Sequence, residues 1–440
     1  MAGWFVKVES FRSLRGQVSV TRLPDLAVQR VEKFAGCIKW LQGRGSAMPH
    51  GITVVTARRL FDGVRVVDDP VVVVEDGCIA SLATRAASSV PPGARTIAFH
   101  EATLAPSFFD IHIHGAAGHD VMEATPQALK AMGRFLATRG TGSFLATTVT
   151  APLDATLSAV AGLAKTIAQA PAEGAAQPLG IHLEGPFLSH AKRGVQPARH
   201  LLAPDIAVFD RIVDAAEGHV RLMTLAPELP GAVELTAHAV QRGVRVSLGH
   251  SNATAAETRA AIAAGASSAT HTFNAMRPLD RREPGILGAA LADDALYAEL
   301  ICDGIHCAPE MAKIWWRAKG IERALLVTDA ISAAGMPDGE YALGGFTVQV
   351  AHGRATANGV LAGSVLTLDR ALQNFLAFTG AALEQGLRLL TGNPAVLTGF
   401  TQQAGSLAVG RAANLVAVMP DGTLAASILN GKLVAEPHEA

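Results

Sequence analysis

The stretch Val244-Arg245-Val246-Ser247-Leu248-Gly249-His250-Ser251-Asn252-Ala253-Thr254-Ala255-Ala256-Glu257, running on to Ala264-Gly265, holds one complete passage from strand to helix. Val244 to Leu248 alternates apolar and polar residues and is rich in β-branched side chains, which predicts a strand. Thr254 and Glu257 form a capping box: the threonine oxygen accepts the backbone N–H three residues on, and the glutamate reaches back to the Thr254 N–H. Gly265 supplies the left-handed stop. Between strand and helix stands a polar junction with His250 in it.

The same unit recurs outward in both directions. Further strands are expected at Leu104 to Ile113, Ser143 to Val149, Leu179 to Leu183, Val220 to Leu225, Ala269 to Phe273, Ala298 to Cys302 and Leu325 to Thr328, making eight in all. Ala-rich helical stretches such as Thr125 to Arg139 and Leu153 to Ala170 separate them. Eight alternations over about 230 residues favour an α/β fold with a closed parallel (β/α)8, TIM-like barrel; an open doubly wound sheet is the alternative.

The flanks read differently. Ile52 to Val55, Pro70 to Glu75 and Cys78 to Leu82 are short and β-rich, with Asp-Gly turns at 62–63 and 76–77. Similar segments return at Phe346 to Val350, Val360 to Leu361, Leu415 to Met419 and Ser427 to Leu429. The expected organisation is a small β-sandwich domain from residues 48–104 and 345–440, around a barrel at 105–344 closed by a helix near 363–379. Residues 1–47 carry eight Lys or Arg against three Asp or Glu and show no clear period. They are expected to be an extension beyond the folded chain, which would start at about Met48.

The 440 residues are 49% hydrophobic and 17% charged, with a net charge of -1. No bulk field draws such a chain to nucleic acid or to an anionic membrane, so neither is an expected partner. Four cysteines without a CxxC pair are too few for a disulfide framework and suit a reducing, cytoplasmic setting. No apolar run approaches the roughly 18 residues that a membrane span needs.

Barrel strands aim their carboxyl ends at one cavity, and the polar residues fall at those ends. Phe108-Phe109-Asp110-Ile111-His112-Ile113-His114 puts Asp110, His112 and His114 at period two, the spacing at which two imidazoles can reach one ion. With 15 histidines in the chain, that pattern alone is weak. Glu184, in Gly180-Ile181-His182-Leu183-Glu184-Gly185-Pro186, needs a cation if it points into an apolar interior, whether a salt-bridge partner or a metal. His182, lower in the strand, reads as a structural histidine. His250 and His271 stand at two further strand ends. One carboxylate and two histidines from three strands have the composition of a catalytic zinc site. Asp329, after Leu325-Leu326-Val327-Thr328, is the candidate base for a water that such an ion acidifies; the other reading is a helix-capping aspartate. Arg281, Arg282 and His306 are cationic groups near the same rim, suited to an anionic substrate.

Taken together, these residues resemble the metal-dependent amidohydrolase superfamily and, within it, the N-acetylglucosamine-6-phosphate deacetylases. The motifs are His182-Leu-Glu-Gly-Pro-Phe187, Leu248-Gly-His-Ser251, His271-Thr-Phe-Asn-Ala-Met276, Arg282-Glu-Pro-Gly285, Asp303-Gly-Ile-His306, Val327-Thr-Asp-Ala330 and Leu361-Ala-Gly-Ser364. The resemblance implies a principal divalent ion on Glu184, His250 and His271, expected to be zinc, with iron, manganese or cobalt as alternatives. A second ion on His112 and His114, bridged by Glu184, is chemically available. Asp329 would be general base and then acid. Asn274, Ala275, Arg282 and His306 would hold the sugar phosphate, and Leu361, Ala362 and Gly363 would line the acetamido and sugar side. Val195 and Gln196 stand where many relatives have Ala-His, so Gln196 would replace a carbonyl-polarising histidine. The implied substrate is an amino-sugar phosphate, the implied assembly a homodimer. Its galactosamine epimer is the rival substrate, and a non-catalytic sugar-phosphate sensor the rival from another class.

Overall fold

The computed structural model describes residues 51–434 except 89, 92, 170 and 171. The extension expected at residues 1–47 lies outside the described residues.

Eight parallel strands form the central sheet: β1 (Phe108–Ile113), β2 (Thr141–Thr148), β3 (Gln177–Glu184), β4 (Val220–Leu225), β5 (Arg245–Leu248), β6 (Ser268–Ala269), β7 (Tyr297–Ile301) and β8 (Ala324–Val327), each paired with the next. The ring closes beyond the regular ladder. Ile113 and Ala330 form a parallel bridge, and the Asp329 N–H donates to His112 O at 2.8 Å. A buried side-chain clamp reinforces the seam, where the Thr328 hydroxyl donates to Asp110 Oδ2 at 2.6 Å. Burial drives the Asp110 carboxyl up to about 7 even though Thr328 and the His112 N–H hydrogen-bond to it.

Helices pack around the sheet: α1 (Pro126–Thr138), α2 (Leu153–Ile167), α3 (Ile206–Ala215), α4 (Ala232–Gln241), α5 (Ala255–Ala263), α6 (Gly285–Ala292), α7 (Pro309–Arg323) and α8 (Leu368–Thr379). The capping box of α5 is present as expected, with Glu257 N–H on Thr254 Oγ1 and Thr254 N–H on Glu257 Oε2. Strand residues such as Ile181, Met223 and Val246 bury against Val160, Leu163 and Leu235 of the helices. That apolar shell is the main source of stability. Ile111, Leu145, Leu222, Ile301 and Leu325 belong to a second buried cluster. A buried chain of hydroxyls joins neighbouring strands: His182 Nε2 to Thr224 at 2.8 Å, Thr224 to Thr270 at 2.9 Å, and Thr270 to Ser247 at 2.7 Å. Burial and the neighbouring His112 push the His182 pKa well below its usual value, so it is the neutral structural histidine its strand position suggested.

Two strand boundaries differ from those expected. The stretch Leu104 to Ile113 is two strands, because Arg95–Pro106 belongs to another sheet and Ser107 separates it from β1. The sixth strand ends at Ala269, not Phe273, because His271 and Phe273 take left-handed φ values of 30° and 81°.

The chain termini of the described region build one eight-stranded sheet from Thr53–Phe61, Val66–Asp68, Pro70–Glu75, Cys78–Thr84, Arg95–Pro106, Leu415–Val418, Leu424–Leu429 and Lys432–Val434. The segment leading into Leu415–Val418 reaches the edge strand Cys78–Thr84, where Ala413 N–H donates to Gly77 O and Ile79 N–H to Arg411 O, and the side chains Val55, Val72, Leu415 and Ile428 share one core. Phe346–Ala351 and Val360–Leu361, expected in this unit, instead join Gly339–Leu343 and Arg354–Ala357 in a separate antiparallel sheet. That sheet packs through Leu343, Val348 and Ala355 on Val149 and Ile331, beside the carboxyl ends of β2 and β8. No helix among the described residues is long and apolar enough to cross a membrane.

Candidate metal centre and active site

At the carboxyl ends of the strands lies a cavity of about 400 Å³. Glu184, His250, His271, His114 and Asp329 line its floor; Val195, Gln196 and Lys192 come from the segment after β3; Asn274, Ala275 and His306 come from the loops after β6 and β7; and Leu361, Gly363, Leu343 and Phe346 form an apolar wall. His112 is fully buried against the floor, and Ala362 is buried behind the wall. Arg282 does not line the cavity of its own chain; its backbone N–H donates to Asp280 Oδ1, and its side chain is exposed.

Two donor groups converge. Glu184 Oε1 lies 3.2 Å from His250 Nε2 and 3.1 Å from His271 Nε2, and the two nitrogens are 3.1 Å apart. His114 Nε2 lies 3.1 Å and His112 Nε2 3.5 Å from Asp329 Oδ1. Glu184 faces both groups, with Oε1 at 3.3 Å from His112 Nε2 and Oε2 at 3.3 Å from His114 Nε2.

Second hydrogen bonds fix the tautomers. His250 Nδ1 faces Lys192 O at 3.0 Å, His114 Nδ1 faces Thr147 O at 3.1 Å and His112 Nδ1 faces Glu299 Oε2 at 3.1 Å. A carbonyl or carboxylate oxygen can only accept, so each Nδ1 carries a hydrogen and each neutral ring turns a bare Nε2 lone pair into the cavity. Lone pairs aimed at one another and at carboxylates repel unless a cation stands between them. A tetrahedral ion about 2.0 to 2.1 Å from its ligands keeps donor atoms about 3.3 Å apart, close to the spacing of the first group. The donor set therefore fits a divalent metal.

The electrostatics agree. Burial alone would raise the Glu184 carboxyl, but His112 and His250 override it and hold it well below the usual range. Burial would likewise raise Asp329, and His112 and His114 bring it down to about 2. Burial opposes charge on His114, yet the Asp329 and Glu184 carboxylates lift it to about 9 and raise His112 well above its usual value. These carboxylates demand positive charge, which protons and a metal compete to supply. Strain accompanies the arrangement: His250, His271 and Asp329 have φ of 47°, 30° and 49°, values that side chains other than glycine seldom adopt.

Glu299 was not among the sequence candidates. It is fully buried in β7, and its Oε2 accepts from both His112 Nδ1 and the His271 N–H, tying the two donor groups together. A carboxylate inside Tyr297-Ala-Glu-Leu-Ile301 is the signal that would have found it. The Lys192 carbonyl behind His250 has no side-chain signature at all. Asp303 Oδ2 takes His306 Nδ1 at 2.7 Å while Oδ1 takes the Ile305 and His306 N–H groups, which orients the His306 ring.

Residues 103–434 match the amidohydrolase family. The chain belongs to that family. This amidohydrolase is 40% identical over 370 residues to the N-acetylgalactosamine-6-phosphate deacetylase of Escherichia coli O157:H7, covering 83% of this chain and 94% of the relative. It is 36% identical over 370 residues to the N-acetylglucosamine-6-phosphate deacetylase of Bacillus subtilis, covering 83% and 93%. Among solved structures it superposes on a mutant N-acetyl-D-glucosamine-6-phosphate deacetylase of Mycobacterium smegmatis in complex with N-acetyl-D-glucosamine-6-phosphate, with a TM-score of 0.81 and 34% identity over 88% of this chain and all of that one. Membership of the family implies a divalent metal.

Proposed function

We propose that this amidohydrolase removes the acetyl group of N-acetyl-D-glucosamine 6-phosphate, releasing D-glucosamine 6-phosphate and acetate. The observation that carries the reading is the convergence of bare imidazole nitrogens on Glu184 beside Asp329, in a cavity of sugar-phosphate size within a chain whose relatives bear this activity. Glu184, His250 and His271 would hold the principal ion, and His112, His114 and Asp329 offer a second position. Zinc suits a nitrogen-rich set of this kind. Bound there, a divalent ion supplies Lewis acidity, polarising the acetyl carbonyl and acidifying water.

The chain's own residues do the rest. Asp329 Oδ1 takes the proton of the attacking water, whose oxygen joins the acetyl carbon. As the C–N bond breaks, Asp329 returns that proton to the departing amine, leaving acetate and the free amino sugar. Of the two Gln196 amide hydrogens, one is held by Glu184, and the other is free to meet the developing oxyanion. Asn274, the Ala275 backbone and His306 face the sugar phosphate. Arg282, away from its own cavity, serves a partner's site in a homodimer, which is the assembly proposed here. The chain is proposed to work in the cytoplasm.

A second reading has its own support, since the E. coli relative acts on the galactosamine epimer and is 40% identical. Acetate release from both sugars, compared as kcat/KM on the same purified protein, tests both. The proposal expects the glucosamine substrate to lead. A lead by the galactosamine substrate would transfer the assignment, and no release from either would overturn it.

A further inference from the structure

Gln196 is buried and hydrogen-bonded at both ends of its amide. The Thr150 backbone N–H can only donate, and it meets Gln196 Oε1 at 2.9 Å. The other end is therefore the NH2 group, which donates to Glu184 Oε2 at 2.7 Å. The two oxygens of Glu184 are thus unequal. Oε1 faces the Nε2 atoms of His250 and His271 at 3.2 and 3.1 Å and stands farther, at 3.3 Å, from His112 Nε2. Oε2 faces His114 Nε2 at 3.3 Å on the other side and already carries an amide hydrogen. Such a bond withdraws charge from the accepting oxygen and stops the carboxylate from turning.

Resting on the reading of this cavity as a metal centre, we infer that Gln196 is a positioning residue that makes Glu184 an asymmetric ligand, strong toward an ion on His250 and His271 and weakened toward one on His112, His114 and Asp329. The resemblance points this position at the substrate carbonyl; the hydrogen bond to Glu184 gives it a second role, on the ligand, through its other amide hydrogen. The two metal positions then fill in order, and the second is the weaker by construction.

The test strips the full-length protein with a chelator and titrates it with zinc against a competing chelator, so that two dissociation constants are read without any activity measurement. Wild type binds the first ion at least about tenfold more tightly than the second. Gln196→Met keeps the length but removes the donor, and it narrows that gap by about tenfold, chiefly by tightening the second ion. Equal constants in wild type, or an unchanged ratio in the variant, overturn the inference. If Gln196→Met fails to fold, Gln196→Leu removes the same donor with a branched side chain and adds no charge. The same tightening of the second ion is expected, and its absence is equally damaging. Zinc bound in this order without acetate release would sink the proposed activity and leave the inference standing, whereas no zinc binding sinks both.

Discussion

Asp329 is held by three backbone constraints: its N–H on His112 O, its carbonyl on the Ser364 N–H, and a left-handed φ of 49°. Replacing it with Asn keeps the shape and removes the proton acceptor. Asp329→Asn should lower kcat by about 10² to 10⁴-fold, the usual range for a general acid–base, with KM and the first bound ion little changed. Stopped assays with metal counted on the same sample check this, and substantial retained turnover would remove Asp329 from the mechanism. Glu299 acts one layer back. Glu299→Leu should weaken metal binding by about 10 to 100-fold by freeing the His112 ring, while Glu299→Gln, which still offers an oxygen to Nδ1, should recover much of it. Metal affinity of the folded variants, not activity, decides the point.

The strand ends explain why these side chains meet. Gly363, with φ of 61°, sits where an added Cβ would lie 2.5 Å from Ile331 Cγ2 and 2.8 Å from Asp329 O. Gly363→Ala should therefore displace Asp329 and depress kcat while leaving the remote helices intact, as near-normal far-UV circular dichroism would show. The β1–β8 seam makes a different demand. Thr328→Val deprives buried Asp110 of its shortest hydrogen bond and should cost about 1 to 3 kcal/mol, seen as a lower unfolding midpoint; an unchanged midpoint would mean that the clamp is not stabilising. Elements with strong local chemistry were legible in the sequence. Helix α5 carries its own cap, and strands β3, β4 and β7 are short, largely buried stretches whose apolar residues mark them. The brevity of β6 was not legible, because the strand-like stretch Ala269-Thr-His-Thr-Phe273, with its β-branched and aromatic residues, runs into a turn whose left-handed residues are imposed by the site, not by propensity.

Across the chain, the arrangement divides the work. The barrel supplies a rigid ring of strand ends, and the antiparallel sheet at 339–361 supplies an apolar wall over one side of the cavity. Two of its strands, at Phe346 to Val350 and Val360 to Leu361, read from the sequence as part of the terminal β unit, since β-propensity reveals a strand without revealing its partner. The candidate donor residues were readable for the opposite reason: a charged or imidazole group at one barrel strand end has a common structural explanation, but several such groups in order at successive strand ends have few. Glu299 has no comparable sequence signal, because its role is carried by the nitrogens of other residues, His112 and His271. The measurement that bears most directly on the account is acetate release from N-acetyl-D-glucosamine 6-phosphate before and after chelation, with bound metal counted on the same protein and on Glu184→Gln. The account predicts turnover that disappears with the ion, returns with added zinc and is lost in the variant together with the tightly bound ion. Undiminished turnover by ion-free protein would contradict it.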